Sequence, residues 1–129
     1  MIVSKPTKKR PKNLNLLTIR LPINAVVSIM HRASGVALFL LQPLLLLALQ
    51  QSLAGATEYA AVREVLQHWS VKLCLIAMAW AFFHHFFAGI RHLAMDVHWM
   101  TSLQKARFSS RVVLILGVVS VVIFAWWIW

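Results

Sequence analysis

The segment "VVLILGVVSVVIFAWWIW", residues 112–129, decides the class of fold because none of its 18 side chains is charged. A bilayer core about 30 Å thick is crossed by a helix of roughly 20 predominantly apolar residues. The segment therefore predicts a membrane-spanning helix over about 111–129. Its tryptophans at 126, 127 and 129 are typical of aromatic anchors at a membrane interface.

Two further apolar segments precede this one. "LCLIAMAWAFFHHFFAGI", residues 73–90, predicts a second helix over about 69–95. "ASGVALFLLQPLLLLAL", residues 33–49, is the most apolar part of a first helix predicted over about 22–51, where a membrane bundle tolerates the kink expected at Pro43. We therefore expect a single all-α integral membrane domain over 1–129, with three transmembrane helices.

The bulk composition supports a membrane protein and excludes several other classes. Hydrophobic residues make up 60% of the chain, charged residues 12%, and the mean hydropathy is +0.75. A soluble domain of this size leaves too much of its surface in water to hide so many apolar side chains. The sequence contains no nucleophile paired with a base, no glycine-rich phosphate loop and no carboxylate pair. An enzyme acting alone on a soluble substrate is therefore not expected.

The positive charge predicts the orientation of the helices. The net charge is +10, with six basic and no acidic residues in a basic arm at 1–21 and three more basic residues at 97–111. Nucleic-acid binding would need a folded basic face, and the segments between the helices are too short to form one. The positive-inside rule instead places the arm and 97–111 in the cytoplasm. The C-terminus and residues 51–66, which include a possible surface helix, "EYAAVREVLQ", then face the periplasm.

The second helix carries histidines inside an apolar segment, where ionisable side chains are costly. His85 lies seven residues before His92, or roughly 10 Å deeper in the membrane. The positions one turn from His85 are small, whereas His84 has bulky neighbours. A flat macrocycle needs open backbone beside its axial ligand, so His85 is the better candidate for a haem ligand. The small positions are Ala81, Ala88 and Gly89, and the bulky ones are Trp80 and Phe87.

Other roles for these histidines stay open. His84 and His92 are expected to bond to backbone, to lipid headgroups or to a haem propionate. All three histidines are also consistent with polar contacts between helices and no cofactor. The sequence has no "CxxCH", which excludes covalently attached haem, and it lacks a suitable ligand set for zinc.

The first helix begins with a second polar group. Ser28 and Arg32 are four residues apart and share a helix face, with His31 beside them. A hydroxyl and a guanidinium at the membrane boundary can hold a quinone head group, or an acidic propionate, by hydrogen bonds. The alternative is that Arg32 extends to lipid headgroups while Ser28 bonds to backbone.

Asp96 ends the second helix, five residues after Arg91. A local ion pair between the two is one interpretation. The other is that Asp96 belongs to a proton route towards a bound quinone.

Two motifs closely resemble the cytochrome b556 membrane-anchor subunits of bacterial succinate dehydrogenase. The pattern S-x-x-H-R-x-S-G matches "SIMHRASG", residues 28–35, and H-x-x-x-G-I-R-H-x-x-x-D matches "HFFAGIRHLAMD", residues 85–96. The resemblance covers the basic arm and the first two helices, and the third helix matches only in hydrophobicity and placement. It implies that His85 is an axial ligand of haem b and that Ser28 and Arg32 bind ubiquinone. His31, Arg32 and His92 would then lie near the haem propionates.

The resemblance also implies partners and a place in the cell. The expected partners are a second anchor subunit that supplies the other haem ligand, an iron–sulfur subunit, a flavoprotein and membrane lipid, in a complex that can form a higher oligomer. The bacterial inner membrane is the expected location. Electrons from succinate oxidation would pass to ubiquinone in the tricarboxylic acid cycle and the respiratory chain. The alternatives are a haem-free structural anchor and a fumarate reductase anchor; a transporter is disfavoured because the ionisable groups gather near one face.

Overall fold

Four helices account for most of the chain in the computed structural model, which describes residues 20–129. They are α1 (Ile23–Ala54), α2 (Ala56–Gln67), α3 (Trp69–Asp96) and α4 (Leu103–Ile128). The described part contains no strand. Most of the predicted basic arm, residues 1–19, lies outside the described residues.

Three of the helices are long and apolar enough to cross a membrane. α1 has 32 residues, α3 has 28 and α4 has 26. At 1.5 Å per residue, even α4 extends about 39 Å, which exceeds a hydrocarbon core of about 30 Å. The three predicted membrane-spanning helices are therefore confirmed, and the chain is a multi-pass membrane protein by the length and composition of its helices.

The helix boundaries differ from those expected at two places. α4 begins at Leu103, about eight residues before the predicted start. The prediction missed these first turns because they carry basic side chains, which hydropathy does not count as membrane-spanning. α1 continues through Pro43 to Ala54. Gly55 separates α1 from α2. The segment "EYAAVREVLQ" lies within α2, so the prediction that it is helical is confirmed.

α3 is the central element because it packs against both α1 and α4. A small core forms where the three helices meet, at Val27, Ala88 and Val113. Small side chains allow membrane helices to approach closely, and a Cβ added at Gly117 of α4 would lie 3.9 Å from the Cα atom of His84. α4 therefore approaches α3 closely at His84.

Polar contacts fix the other edges of the bundle. The Ser110 hydroxyl on α4 donates to Asn24 Oδ1 on α1 at 2.8 Å. At the opposite end of α4, Lys72 Nζ of α3 lies 5.7 Å from the centre of a Trp129 ring, within the range of a cation–π contact. α3 and α4 therefore run antiparallel, and the start of α1 lies beside the start of α4 and the end of α3.

Candidate functional site

Three histidines from two helices meet near the start of α1. The rings of His31 and His85 stack with centroids 4.2 Å apart and planes 13° from parallel. The ring of His92 is tilted against His31 at 5.0 Å. We call these three residues the histidine cluster. Residues predicted as separate groups on the first and second helices thus form one site.

The orientation of His85 is set by the backbone of α1. Its Nδ1–H donates to the carbonyl oxygen of His31 at 3.0 Å. Since a carbonyl can only accept, Nδ1 carries the proton, and the lone pair of the neutral ring is on Nε2. This tautomer is the one in which a histidine offers Nε2 to a metal while a second contact fixes the ring.

Ser34 strengthens this arrangement from the same turn of α1. Its hydroxyl is buried and donates to the His31 carbonyl at 2.9 Å, and its oxygen lies 3.4 Å from His85 Nδ1. The sequence motif includes Ser34, but spacing alone gave it no role. Its function depends on a contact between residues 51 positions apart, which only the folded chain brings together.

Gly35 makes room for the His85 ring. A Cβ added to Gly35 would lie 2.8 Å from His85 Cε1, closer than real Cβ atoms approach, and 3.2 Å from Nδ1, which is a tight contact. Gly89 on α3 borders the same cluster, with His31 Nε2 at 3.6 Å from an added Cβ, which is an ordinary contact. Glycine is therefore required at 35 by space, whereas 89 accepts a methyl group.

His84 has a different environment from its neighbour. Only 1% of its surface is exposed, and its Nε2–H points to the Val27 carbonyl of α1 at 3.5 Å. Trp80 stacks on the ring at 5.5 Å. This agrees with the expectation that His84 bonds to backbone, and it leaves no space for a planar macrocycle at that position.

Two of the three small residues near His85 are buried in the bundle and do not provide open backbone beside it. Ala81 and Ala88 were expected to provide open backbone beside His85, but both are buried between helices, and Ala88 belongs to the core. Small residues in membrane helices allow the helices to pack closely, and Ala81 and Ala88 have this role here. Of the three small positions, Gly89 is the one that borders the histidine cluster.

Arg91 is turned into the bundle and away from the end of the helix. It is 7% exposed, and its Nε–H donates to the Ser109 hydroxyl of α4 at 3.0 Å. Its Nη2 donates to the Ala106 carbonyl at 3.5 Å. The guanidinium thus bonds to α4, which corrects the expectation of a local ion pair with the exposed Asp96. Sequence spacing within one helix could not reveal this partner on another.

The polar pair at the start of α1 lies at the rim of the histidine cluster. Arg32 is exposed and Ser28 is half-buried, one turn earlier on the same helix. Their position next to His31 places a donor-rich surface directly beside the stacked imidazoles.

The sequence pattern described as "Succinate dehydrogenase/Fumarate reductase transmembrane subunit" matches residues 6–124. The chain belongs to this family. A protein named succinate dehydrogenase cytochrome b556 subunit from Coxiella burnetii is 39% identical over 123 residues, covering 94% of this chain and 98% of the relative. A protein of the same name from Rickettsia conorii is 30% identical, covering 92% of this chain and 91% of the relative. Another from Paracoccus denitrificans is 29% identical, covering 89% of this chain and 92% of the relative. The family suggested by the two motifs is thus confirmed.

Proposed function

We propose that this chain is the haem b- and ubiquinone-binding membrane anchor of a succinate dehydrogenase, which passes electrons from succinate oxidation to ubiquinone. The observation that carries the proposal is the hydrogen bond from His85 Nδ1 to the His31 carbonyl, which leaves the lone pair of the neutral ring on Nε2, the atom that would ligate a metal. The relatives named as cytochrome b556 subunits support haem as the group that this atom binds.

The residues of the site fit a haem. Among residues 20–129, no group of three His, Cys, Asp or Glu side chains could hold a metal ion, so a metal held by His85 would need its other ligands from outside these residues. A haem would bring its own porphyrin nitrogens, and a histidine of a second anchor subunit would complete the ligand set. His31, Arg32 and His92 are the residues that would bind the propionates. When bound, the haem supplies a one-electron redox centre within the membrane.

Ubiquinone is the proposed substrate at Ser28 and Arg32. The exposed guanidinium and the half-buried hydroxyl share one face of α1 and can donate to a quinone oxygen. Reduction to ubiquinol takes two electrons, supplied by partner subunits, and two protons from the aqueous side. Asp96 is exposed at the end of α3, near the same membrane boundary, and we assign it to the proton route.

The orientation follows from charge. The start of α1 and the end of α3 carry the histidine cluster; in the sequence, α1 follows the basic segment at 1–20 and α3 precedes the one at 97–111. By the positive-inside rule this end faces the cytoplasm, the C-terminus faces the periplasm, and the membrane is the bacterial inner membrane. Flavoprotein and iron–sulfur subunits would then dock on the cytoplasmic side, close to the proposed quinone site.

The first experiment is a reduced-minus-oxidised visible spectrum of the detergent-purified complex, co-expressed with its partner subunits. We expect a low-spin b-type band in the wild type and its loss, or conversion to high spin, in His85→Ala. His98→Asn is the matched control, because His98 is an exposed histidine between α3 and α4 whose φ of 62° suits asparagine. An unchanged band in His85→Ala would refute the ligand assignment.

The same preparation tests the alternatives. A wild-type complex that is intact but lacks any haem band would identify a haem-free anchor. The family includes fumarate reductases, so succinate oxidation with ubiquinone and fumarate reduction with menaquinone are measured side by side. Faster fumarate reduction would identify a fumarate reductase anchor.

A further inference from the structure

The carbonyl oxygen of His31 is shared by several hydrogen-bond donors. Ser34 Oγ donates to it at 2.9 Å, and His85 Nδ1 donates to it at 3.0 Å. Within an α-helix a carbonyl also accepts the backbone N–H four residues later, which here belongs to Gly35. A carbonyl oxygen has two lone pairs. The three donors therefore compete for one acceptor, and each bond is weaker than it would be alone.

The burial of Ser34 fixes the direction of its hydroxyl. Ser34 is 2% exposed, so water does not replace the His31 carbonyl as the acceptor of the hydroxyl proton. His85 Nδ1 lies 3.4 Å from Ser34 Oγ, but this nitrogen already carries a proton because it donates to the carbonyl. The hydroxyl therefore donates to the carbonyl, while its oxygen is a second and longer acceptor for Nδ1–H.

These contacts give Ser34 two effects on the His85 ring. The 3.4 Å contact helps to hold the ring in place, together with the stack on His31. The bond to the carbonyl weakens the main hydrogen bond of the ring, because it draws electron density from the oxygen that accepts Nδ1–H. This bond is 2.9 Å long, whereas the 3.4 Å contact is beyond the usual hydrogen-bond range. The weakening is therefore the larger effect.

The strength of the bond at Nδ1 determines how strongly Nε2 donates electrons to a metal. A stronger acceptor at Nδ1 makes the ring more basic at Nε2. A more basic ligand stabilises ferric iron over ferrous iron, and hydrogen bonds around a haem ligand tune its potential in this way. We propose that Ser34 is a positioning residue that raises the midpoint potential of a haem held by His85. This inference rests on the proposed function, since it requires His85 to be the ligand.

A spectroelectrochemical titration of the purified complex, co-expressed with its partner subunits, tests the proposal. Ser34→Ala removes one competing donor from the carbonyl, so we expect a lower midpoint potential. The equilibrium constant for haem reduction should fall about three- to tenfold, the size of one neutral hydrogen bond. Ser34→Cys should give a smaller fall, because a thiol is a weak donor. The potential is measured on the haem that is bound, so it does not depend on occupancy.

Ser52→Ala is the matched control. The Ser52 hydroxyl makes the same type of bond to the carbonyl three residues earlier, that of Leu49, at 2.7 Å. Ser52 lies roughly 27 Å farther along α1 than Ser34, so its replacement should leave the potential unchanged. A potential in Ser34→Ala that equals or exceeds that of the wild type would overturn the proposal and assign Ser34 to helix packing alone.

A second measurement needs no haem. Nuclear magnetic resonance of the full chain in mixed detergent micelles, with isotope-labelled histidine, detects the Nδ1 proton of His85, which is assigned by its loss in His85→Ala. A stronger hydrogen bond moves this proton signal downfield, and we expect that shift in Ser34→Ala but not in Ser52→Ala.

The two measurements separate this inference from the proposed function. A wild-type complex without a haem band would refute the proposed function, and with it the effect on the potential. A haem band that depends on His85, with neither the proton shift nor the change in potential in Ser34→Ala, would refute the role of Ser34 alone.

Discussion

The substitution Gly35→Ala is the sharpest test of how α1 holds His85. The new Cβ would lie 2.8 Å from His85 Cε1, whereas carbon atoms in favourable contact are at least about 3.5 Å apart. The ring therefore has to move by about 0.7 Å. A displacement of that size along the 3.0 Å hydrogen bond to the His31 carbonyl would break it. The ring cannot turn away at no cost, because it also stacks on His31.

The expected cost has two parts. Overpacking contributes about 1–3 kcal/mol, and loss of the hydrogen bond contributes about 1 kcal/mol. Gly89→Ala is the matched control, since its new Cβ meets His31 Nε2 at an ordinary 3.6 Å. Both substitutions gain the same helix propensity of alanine over glycine. Their difference in free energy of unfolding therefore isolates the contact with His85, at about 2–4 kcal/mol.

The assay is unfolding of the purified chain in mixed detergent micelles, followed by helical circular dichroism. A second measurement on the co-expressed complex is the haem-to-protein ratio. We expect Gly35→Ala to be less stable than Gly89→Ala and to retain less haem than the wild type. Stability equal to that of Gly89→Ala, together with wild-type haem content, would refute the inference that α1 fixes the His85 ring through this contact.

Three further predictions concern the polar residues near the histidine cluster. Arg32→Leu should lower quinone reduction at least tenfold while the haem band persists; normal activity would remove Arg32 from the quinone site. Asp96→Asn should slow turnover, with a smaller loss at low pH where protons are abundant, and unchanged turnover would assign Asp96 a structural role. A double-mutant cycle of Arg91→Leu and Ser109→Ala should give a coupling energy of about 1.5–3 kcal/mol in micelle unfolding, and additive effects would contradict the observed hydrogen bond.

The membrane-spanning helices were predictable because the bilayer imposes a length and an apolarity that can be counted in a single chain. The start of α4 was not, since helix formation in its first turns depends on backbone hydrogen bonds and contacts with α3 that hydropathy does not measure. Ser109 is an example: it lies in these early turns and is buried against Arg91.

The site was predictable in its residue types and only partly in its contacts. The cluster of His31, His85 and His92 unites residues that the sequence placed near one membrane face. The interpretation of Ala81 and Ala88 was wrong because a small side chain beside a histidine has two uses in a membrane, to admit a ligand or to admit another helix. Sequence spacing does not distinguish these uses, because both require the same residues.

The two adjacent histidines of α3 have different structural roles. Successive side chains of a helix point about 100° apart, so His84 and His85 face different neighbours. His84 is buried and packs against α1 and Trp80, where it contributes to the position of α3. His85 then donates to the His31 carbonyl through Nδ1, which leaves the lone pair of the ring on Nε2. A helix whose position was less well fixed would let that hydrogen bond lengthen, so the packing of the first histidine maintains the ring orientation of the second.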